Sequence, residues 1–141
     1  HPASPLVARL VDIRNIFEGR IREHDPDATW IDWQGRALEA APRPDLAPGS
    51  PVGWCIPADS IVLHRRDRPS RGEHENPVHG TVAEAVRLGE MTHVHIAVDG
   101  IATPLELSVP THVARRNRVL EGEPIGVSLR RDAIHLMEPE G

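Results

Sequence analysis

The chain contains no lysine, because all 16 of its basic residues are arginine. This absence excludes chemistry that needs a lysine amine, including a phosphate-loop lysine, Schiff-base formation and a lysine general base. Tyrosine is absent as well, and the main large aromatic residues are Trp30, Trp33 and Trp54. The alternation of side chains predicts that Trp33 and Trp54 pack in a core, whereas Trp30 is predicted to face outward.

Cysteine and long apolar runs are also scarce. Cys55 is the only cysteine, so it cannot form an internal disulfide, and a reducing compartment is the simpler interpretation. Its apolar neighbours predict a buried, inert thiol rather than a nucleophile. No apolar run approaches the roughly 20 residues of a membrane-spanning helix. The first residues lack the basic start and apolar run of a signal peptide.

The charge balance limits the classes of partner. The 141 residues carry a net charge of −5, with 39% hydrophobic and 26% charged residues, which is typical of a folded soluble protein. The negative balance gives no overall electrostatic footprint for nucleic acid, so no nucleic-acid partner is predicted. The chain does not begin with methionine, and we expect it to be a fragment or a processed product.

The clearest positive feature is a duplication. Residues 49–63 align without a gap with residues 122–136, and Gly, Pro, Gly, Asp, Ile and Leu fall in the same places. Upstream, Asn15–Ile21 matches Asn76–Val82 as Asn-x-x-x-Gly-x-apolar. Two matching blocks in the same order in each half predict two copies of one small structural unit.

Alternation of period two indicates β-strands in both copies. Residues 92–98 place Thr, Val, Ile and Val on one face, and residues 17–21 alternate in the same way. A short helix is predicted after Pro110, and the spacing of apolar residues in 1–12 predicts another at the N-terminus. We therefore predict an all-β fold: two tandem small OB-like five-stranded barrels with one short helix, preceded by a short N-terminal helix.

The predicted organisation has four segments: a helical tail in 1–12, a first OB-like unit in 13–66, a polar linker in 67–75 and a second OB-like unit in 76–141. Residues 64–75 contain no apolar residue beyond a proline, so they cannot contribute to a core. A unit of roughly 55 to 65 residues is marginal alone. We therefore expect the two units to pack on each other or on a second chain.

No catalytic or metal site is predicted. His93 and His95 share one strand face and could bind zinc or nickel, but no cysteine pattern or set of carboxylates accompanies them. We interpret them as solvated side chains. There is no Gly-x-Ser-x-Gly motif, and the matched Asp59 and Asp132 are explained as residues that close a turn.

The matched asparagines offer a candidate binding site. Asn15 and Asn76 each precede a matched glycine, Gly19 or Gly80, and this pattern is explained by a repeated turn. The functional alternative is a pair of backbone N–H nests, with Arg14 beside the first, that hold a small oxyanion. The candidate oxyanion-binding residues are therefore Arg14, Asn15, Gly19, Asn76 and Gly80.

These segments resemble a known family. Residues 2–20 resemble the junction at which the nucleotide-binding domain of an ABC importer ATPase meets its C-terminal accessory region. The run Asn-Ile-Phe-Glu-Gly at 15–19 is most similar to the molybdate/tungstate importers. Residues 52–63 resemble the strand-Pro-x-Asp-strand segment of these regions, and residues 76–137 resemble the OB-like TOBE/Mop module.

The resemblance implies a non-catalytic regulatory and dimerisation region of an importer ATPase subunit that can sense molybdate or tungstate. Its implied partners are a second copy, the upstream ATPase domain and the membrane permease subunits, at the cytoplasmic face of the cell membrane. Residues 1–12 would be the tail of the ATPase domain, which would hold the ATP and magnesium. No cofactor is implied for this region beyond a bound oxyanion.

Two alternatives remain open. One is a free-standing oxyanion-binding or storage protein, and the other is the same accessory region from an importer of sulfate, sugar or polyamine. A nucleic-acid-binding OB protein ranks last because of the acidic balance.

Molybdate-binding Mop modules carry Ser-Ala-Arg-Asn before the glycine, whereas this chain has two glutamates in 73–76, and these acids would repel an oxyanion.

Overall fold

The computed structural model describes residues 14–64 and 75–137. The described residues form ten β-strands, two short 3-10 turns and one short helix, which confirms the predicted all-β class and the helix in the second copy. The predicted N-terminal helix and nearly all of the polar linker lie outside the described residues. The elements are β1 (Arg14–Asp25), β2 (Ala28–Trp33), β3 (Arg36–Ala40), β4 (Pro51–Pro57), a turn (Ala58–Ser60), β5 (Val62–Leu63), β6 (Pro77–Leu88), β7 (Met91–Val98), β8 (Leu105–Pro110), α1 (Thr111–Arg116), β9 (Pro124–Ser128), a turn (Arg131–Ala133) and β10 (His135–Met137).

The strands form two antiparallel sheets of five. Sheet A has the order β10-β4-β1-β2-β3, and sheet B has the order β5-β9-β6-β7-β8. Five strands per sheet agree with the prediction, but the fifth strand of each copy belongs to the sheet of the other copy. The strand β5 pairs with β9, and β10 pairs with β4. Each sheet is therefore completed by a strand from the other half of the sequence.

The two sheets share the same irregularities. In β1 the register against β2 shifts between Ile21 and Glu23, and in β6 it shifts at the corresponding place, between Val82 and Glu84. A β-bulge bends a strand and increases its twist. Beside each bulge a glycine with φ of 84° donates its N–H to the strand: Gly49 to the Ile21 carbonyl and Gly122 to the Val82 carbonyl. The repeated sequence block thus specifies a repeated bend.

The interior is one continuous cluster of buried apolar residues drawn from both sheets. In sheet A it contains Phe17, Trp33 and Trp54, whose ring centroids are separated by 4.8 to 5.2 Å. Trp33 and Trp54 are fully buried, which confirms the predicted core packing, and Cys55 is buried as predicted. No helix among the described residues is long and apolar enough to cross a membrane.

Candidate functional site

Asn15 lies at the junction between the two sheets and is 3% exposed. Its Nδ2 donates to the Glu106 carbonyl at 2.8 Å and to the Ile56 carbonyl at 3.2 Å, and its Oδ1 accepts from the Glu106 N–H at 2.6 Å. Both N–H bonds of the amide are therefore used by the protein backbone. The contact joins β1 of sheet A to β8, the edge strand of sheet B.

Asn76 makes the reciprocal contact. Its Nδ2 donates to the Glu39 carbonyl at 2.8 Å and to the Leu129 carbonyl at 2.7 Å, and its Oδ1 accepts from the Glu39 N–H at 2.8 Å. Glu39 lies on β3, the edge strand of sheet A. The backbone of Asn76 has a φ of 48°, a left-handed conformation that asparagine tolerates better than most residues. Each asparagine amide thus satisfies one N–H and one C=O on an edge strand of the other sheet.

Gly19 and Gly80 lie within β1 and β6, so the repeated turn proposed for this pattern is wrong, and the close approach of a neighbouring strand explains both glycines. A Cβ added to Gly19 would lie 2.7 Å from the Asp32 carbonyl oxygen, and one added to Gly80 would overlap the Ala97 carbonyl. The Cβ position of Gly19 also lies 3.6 Å from the Cδ1 atom of Trp54, so this glycine leaves room for the indole. A side chain is therefore disfavoured at both positions for steric reasons.

The structure divides the candidate oxyanion residues into two sets. Asn15 and Gly19 belong to β1 in sheet A together with Arg14, whereas Asn76 immediately precedes β6 of sheet B and Gly80 lies within that strand. The amide N–H bonds of both asparagines are directed at backbone carbonyls. An anion in either place would have to be held by backbone N–H groups and arginine, so an oxyanion role for these five residues stays a prediction.

A histidine pair on sheet B was missed by the sequence analysis. His64 follows β5, and its Nε2 lies 2.6 Å from the hydroxyl of Ser128. The ring of His79 on β6 stands at 67° to that of His64, with centroids 6.0 Å apart. Burial, together with the neighbouring His79, lowers the pKa of His64 below its ordinary value of 6.5, while Glu75 acts in the opposite direction.

The two histidines that the sequence analysis singled out, His93 and His95, are half-buried. His93 and His95 lie on the outer face of β7, and the Nε2 of His95 is 3.2 Å from the Glu106 carboxylate. Within residues 14–64 and 75–137, no group of three or more His, Cys, Asp or Glu side chains is placed to hold a metal ion. The sequence offered one indirect signal for the histidine pair. The fourth strand of each copy carries a glycine at the same place, Gly53 in the first copy and Gly126 in the second.

A groove on the outer side of sheet A is the counterpart of the histidine pair. Its volume is about 780 Å³, and its lining includes Ile16, Gly19, Gly53 and Met137. Ile16 is 60% exposed, and Met137 covers Gly53, with its Cε 3.4 Å from the position of an added Cβ. The corresponding surfaces of the two sheets thus differ, because that of sheet A is mainly apolar and that of sheet B carries two imidazoles.

Taken together, two corresponding five-stranded sheets, exchanged fifth strands and reciprocal asparagine contacts define a duplicated all-β module. The TOBE domain family matches residues 63–137. The chain therefore belongs to the TOBE domain family.

Among solved structures, the chain is similar to a crystal form of the cytoplasmic molybdate-binding protein ModG with molybdate bound. The TM-score is 0.76 at 20% sequence identity, over 89% of this chain and 96% of that one. Identity at this level shows a shared fold. A search of curated proteins found no match.

Proposed function

We propose that the chain is a non-catalytic binding protein for a tetrahedral oxyanion, with molybdate and tungstate as its ligands. The observation that carries this proposal is the extent of the fold match: it spans 89% of the chain, and so includes both copies, and the matched protein, ModG, is a molybdate-binding protein. A match to one copy alone would support only a generic TOBE module.

The contact between Ser128 and His64 does not argue for catalysis. The Ser128 hydroxyl lies 2.6 Å from His64 Nε2, but Ser128 is 2% exposed. A nucleophile must reach its substrate, and a buried hydroxyl cannot. We therefore assign no enzymatic activity to this chain.

The oxyanion is expected to bind where β1 or β6 begins. The asparagines hold the first residues of these strands against the opposite sheet, which fixes the direction of nearby backbone N–H groups. Arg14 precedes Asn15 in the sequence, and an arginine can donate two parallel hydrogen bonds to an oxyanion. The net charge of −5 opposes binding, so a local cation is needed.

The free-standing oxyanion-binding protein is the favoured form of this proposal. The similarity to ModG covers 96% of that chain, so this chain includes the equivalent of nearly the whole protein. The accessory region of an importer ATPase is the second candidate, and it is favoured by the resemblance of residues 2–20 to the importer junction. The second candidate alone adds an ATPase domain and membrane permease subunits as partners.

Isothermal titration of the chain with molybdate, tungstate and sulfate tests the proposal. We expect binding of molybdate and tungstate and much weaker binding of sulfate. Arg14→Gln should reduce the affinity, because it removes the cation that precedes Asn15. Arg22→Gln, which removes an exposed arginine from the bulge of the same strand, is the matched control and should bind as the wild type does. Failure of all three anions to bind would contradict the proposal.

A further inference from the structure

We propose that His64 and His79 form an open site for a divalent transition metal ion on the outer face of sheet B. The Nδ1 atoms of the two rings lie 2.7 and 3.1 Å from the position that a Cβ of Gly126 would occupy. Both nitrogens therefore face the same small space, which is free because residue 126 has no side chain. Neutral imidazole is a good ligand for zinc, nickel and copper.

The fold holds His64 in this position. Its backbone N–H donates to the Gly126 carbonyl at 2.9 Å, which extends the β5–β9 ladder by one residue. His79 lies directly opposite Gly126 in the β6–β9 ladder. The two histidines thus flank the same glycine from the strands on its two sides. Binding requires the rings to turn toward each other until each nitrogen is about 2.1 Å from the ion.

The second nitrogen of His64 already has a partner. Its Nε2 lies 2.6 Å from the Ser128 hydroxyl. Histidines that bind a metal through one nitrogen usually donate the N–H of the other to an oxygen, which fixes the tautomer and the ring orientation. With Nε2–H donating to Ser128, the lone pair is on Nδ1, the atom that faces the space above Gly126.

Burial and the neighbouring His79 lower the pKa of His64, with Glu75 acting in the opposite direction, so the neutral ring is favoured over the charged one. Neutral imidazole is the form that binds a metal, and the geometry around Gly126 remains the observation on which the site depends. Two protein ligands leave the other coordination positions to water, so we expect an exchangeable ion rather than a structural one.

Sheet A provides an internal comparison. Gly53 lies opposite Glu18 and Met137 in its ladders, as Gly126 lies opposite His79 and beside His64. Sheet A has no imidazole at these positions, and a thioether and a carboxylate on different strands are a poorer match for zinc. The proposal therefore predicts one ion per chain rather than two.

Titration of the untagged chain with Zn²⁺ at pH 7.5, followed by calorimetry, tests the site. We expect one bound ion, with an affinity at least about tenfold lower in His64→Gln and in His79→Gln. Ser128→Ala should also weaken binding by about tenfold or more, because it removes the partner of the ligating ring. Gly126→Ala should abolish binding, because the methyl group fills the space between the nitrogens.

His93→Gln and His95→Gln are the matched controls, since these half-buried histidines share a strand face without facing a glycine. They should bind Zn²⁺ within about twofold of the wild type. Circular dichroism of each variant verifies that it is folded, and His79→Gln keeps the test valid if changes at His64 or Gly126 unfold the chain. Unchanged binding in His79→Gln, or loss of binding in His93→Gln or His95→Gln, overturns the proposal. The oxyanion titration is a separate measurement, so either proposal can fail alone.

Discussion

Sheets A and B have corresponding strand orders but different interiors. Where sheet A has Phe17, Trp33 and Trp54, the ladders of sheet B place valines, at 78, 98 and 127. The valines are as well buried as the aromatic residues, with exposed fractions of 1% to 4%. Helix α1 and the residues after it contribute Ala114 and Val119 to the core, whereas the corresponding part of sheet A is a loop that contributes Leu46. The backbone frame is therefore compatible with two different ways of filling the core.

The aromatic core residues of sheet A carry a free-energy cost that the valines of sheet B do not. The indole N–H groups of Trp33 and Trp54 are buried and have no hydrogen-bond partner among the described residues. An unsatisfied buried donor costs roughly 1–3 kcal/mol. The close ring contacts offset part of this cost, since aromatic pairs contribute about 0.5–1.5 kcal/mol beyond their buried area. The backbone arrangement that the two sheets share depends on the matched asparagines, glycines and β-bulges, and not on the residues that fill the core.

Truncation of the two interiors should give the largest difference between the sheets. Trp54→Ala should lower the free energy of unfolding by about 3–5 kcal/mol, because a large side chain is lost and the site can collapse only in part. Val127→Ala, at the corresponding place in sheet B, should cost about 2 kcal/mol, since it removes about two methylene equivalents. Urea denaturation measures both, and equal losses would contradict the comparison.

Removal of the asparagine contacts should destabilise both sheets. Asn15→Ala and Asn76→Ala each remove three hydrogen bonds, including two to the backbone of an edge strand, so each should cost about 3 kcal/mol. Asn76→Ala should cost somewhat more, because alanine adopts its left-handed backbone, with a φ of 48°, less readily than asparagine. Asn117→Ala, at the end of α1, removes a bond to the Val113 carbonyl and should cost no more than about 1 kcal/mol. A large loss in one matched variant with none in the other would show that the contacts are not equivalent.

Addition of a methyl group at the matched glycines should give a smaller loss. Gly19→Ala and Gly80→Ala should each lower the free energy of unfolding by about 1–3 kcal/mol, because the methyl group meets the backbone of the adjacent strand. The contact is shorter at Gly80, so this variant should be the less stable of the two. The exposed Glu18→Ala is the control and should stay within about 0.5 kcal/mol of the wild type in thermal denaturation.

The smallest effect expected is a pH dependence specific to sheet B. The pKa of His64 is lower in the folded chain than its ordinary value of 6.5, so the unfolded chain binds more protons as the pH falls below about 7. Stability should therefore decrease as the pH falls through 6.5 toward the folded pKa, and the contribution of His64 should be constant below it. With a chelator present, the midpoint of thermal unfolding should depend less on pH in His64→Gln than in the wild type. Equal slopes would show that His64 does not contribute.

Much of the fold was predictable because local patterns specify it. The alternation in residues 92–98 predicts β7, and the matched sequence blocks predict two copies of one unit. The strand exchange was not predictable from these patterns. The strands β5 and β10 have two and three residues and lie at the ends of the matched sequence blocks, so each has similar local reasons to pair with β4 or with β9.

The site was less predictable than the fold, because its contacts join distant parts of the chain. Asn15 and Glu106 are 91 residues apart, and His64 and Ser128 are 64 apart. The sequence showed that Asn15 and Asn76 are matched, but nothing in the local pattern indicates that each pairs with the opposite edge strand. His64 and His79 come together only because β5 and β6 flank β9, which follows from the exchange.

The exchange of the fifth strands also determines when each sheet can be completed during translation. Domains usually fold as they leave the ribosome, starting from the N-terminus. Here β4 keeps one unpaired edge until residues 135–137 have emerged, although its other neighbour, β1, was synthesised long before. A bare edge is a template for pairing with another nascent chain. Two nascent copies on one messenger RNA are therefore most able to pair with each other through the open edge of β4 in the interval between the synthesis of β4 and that of β10.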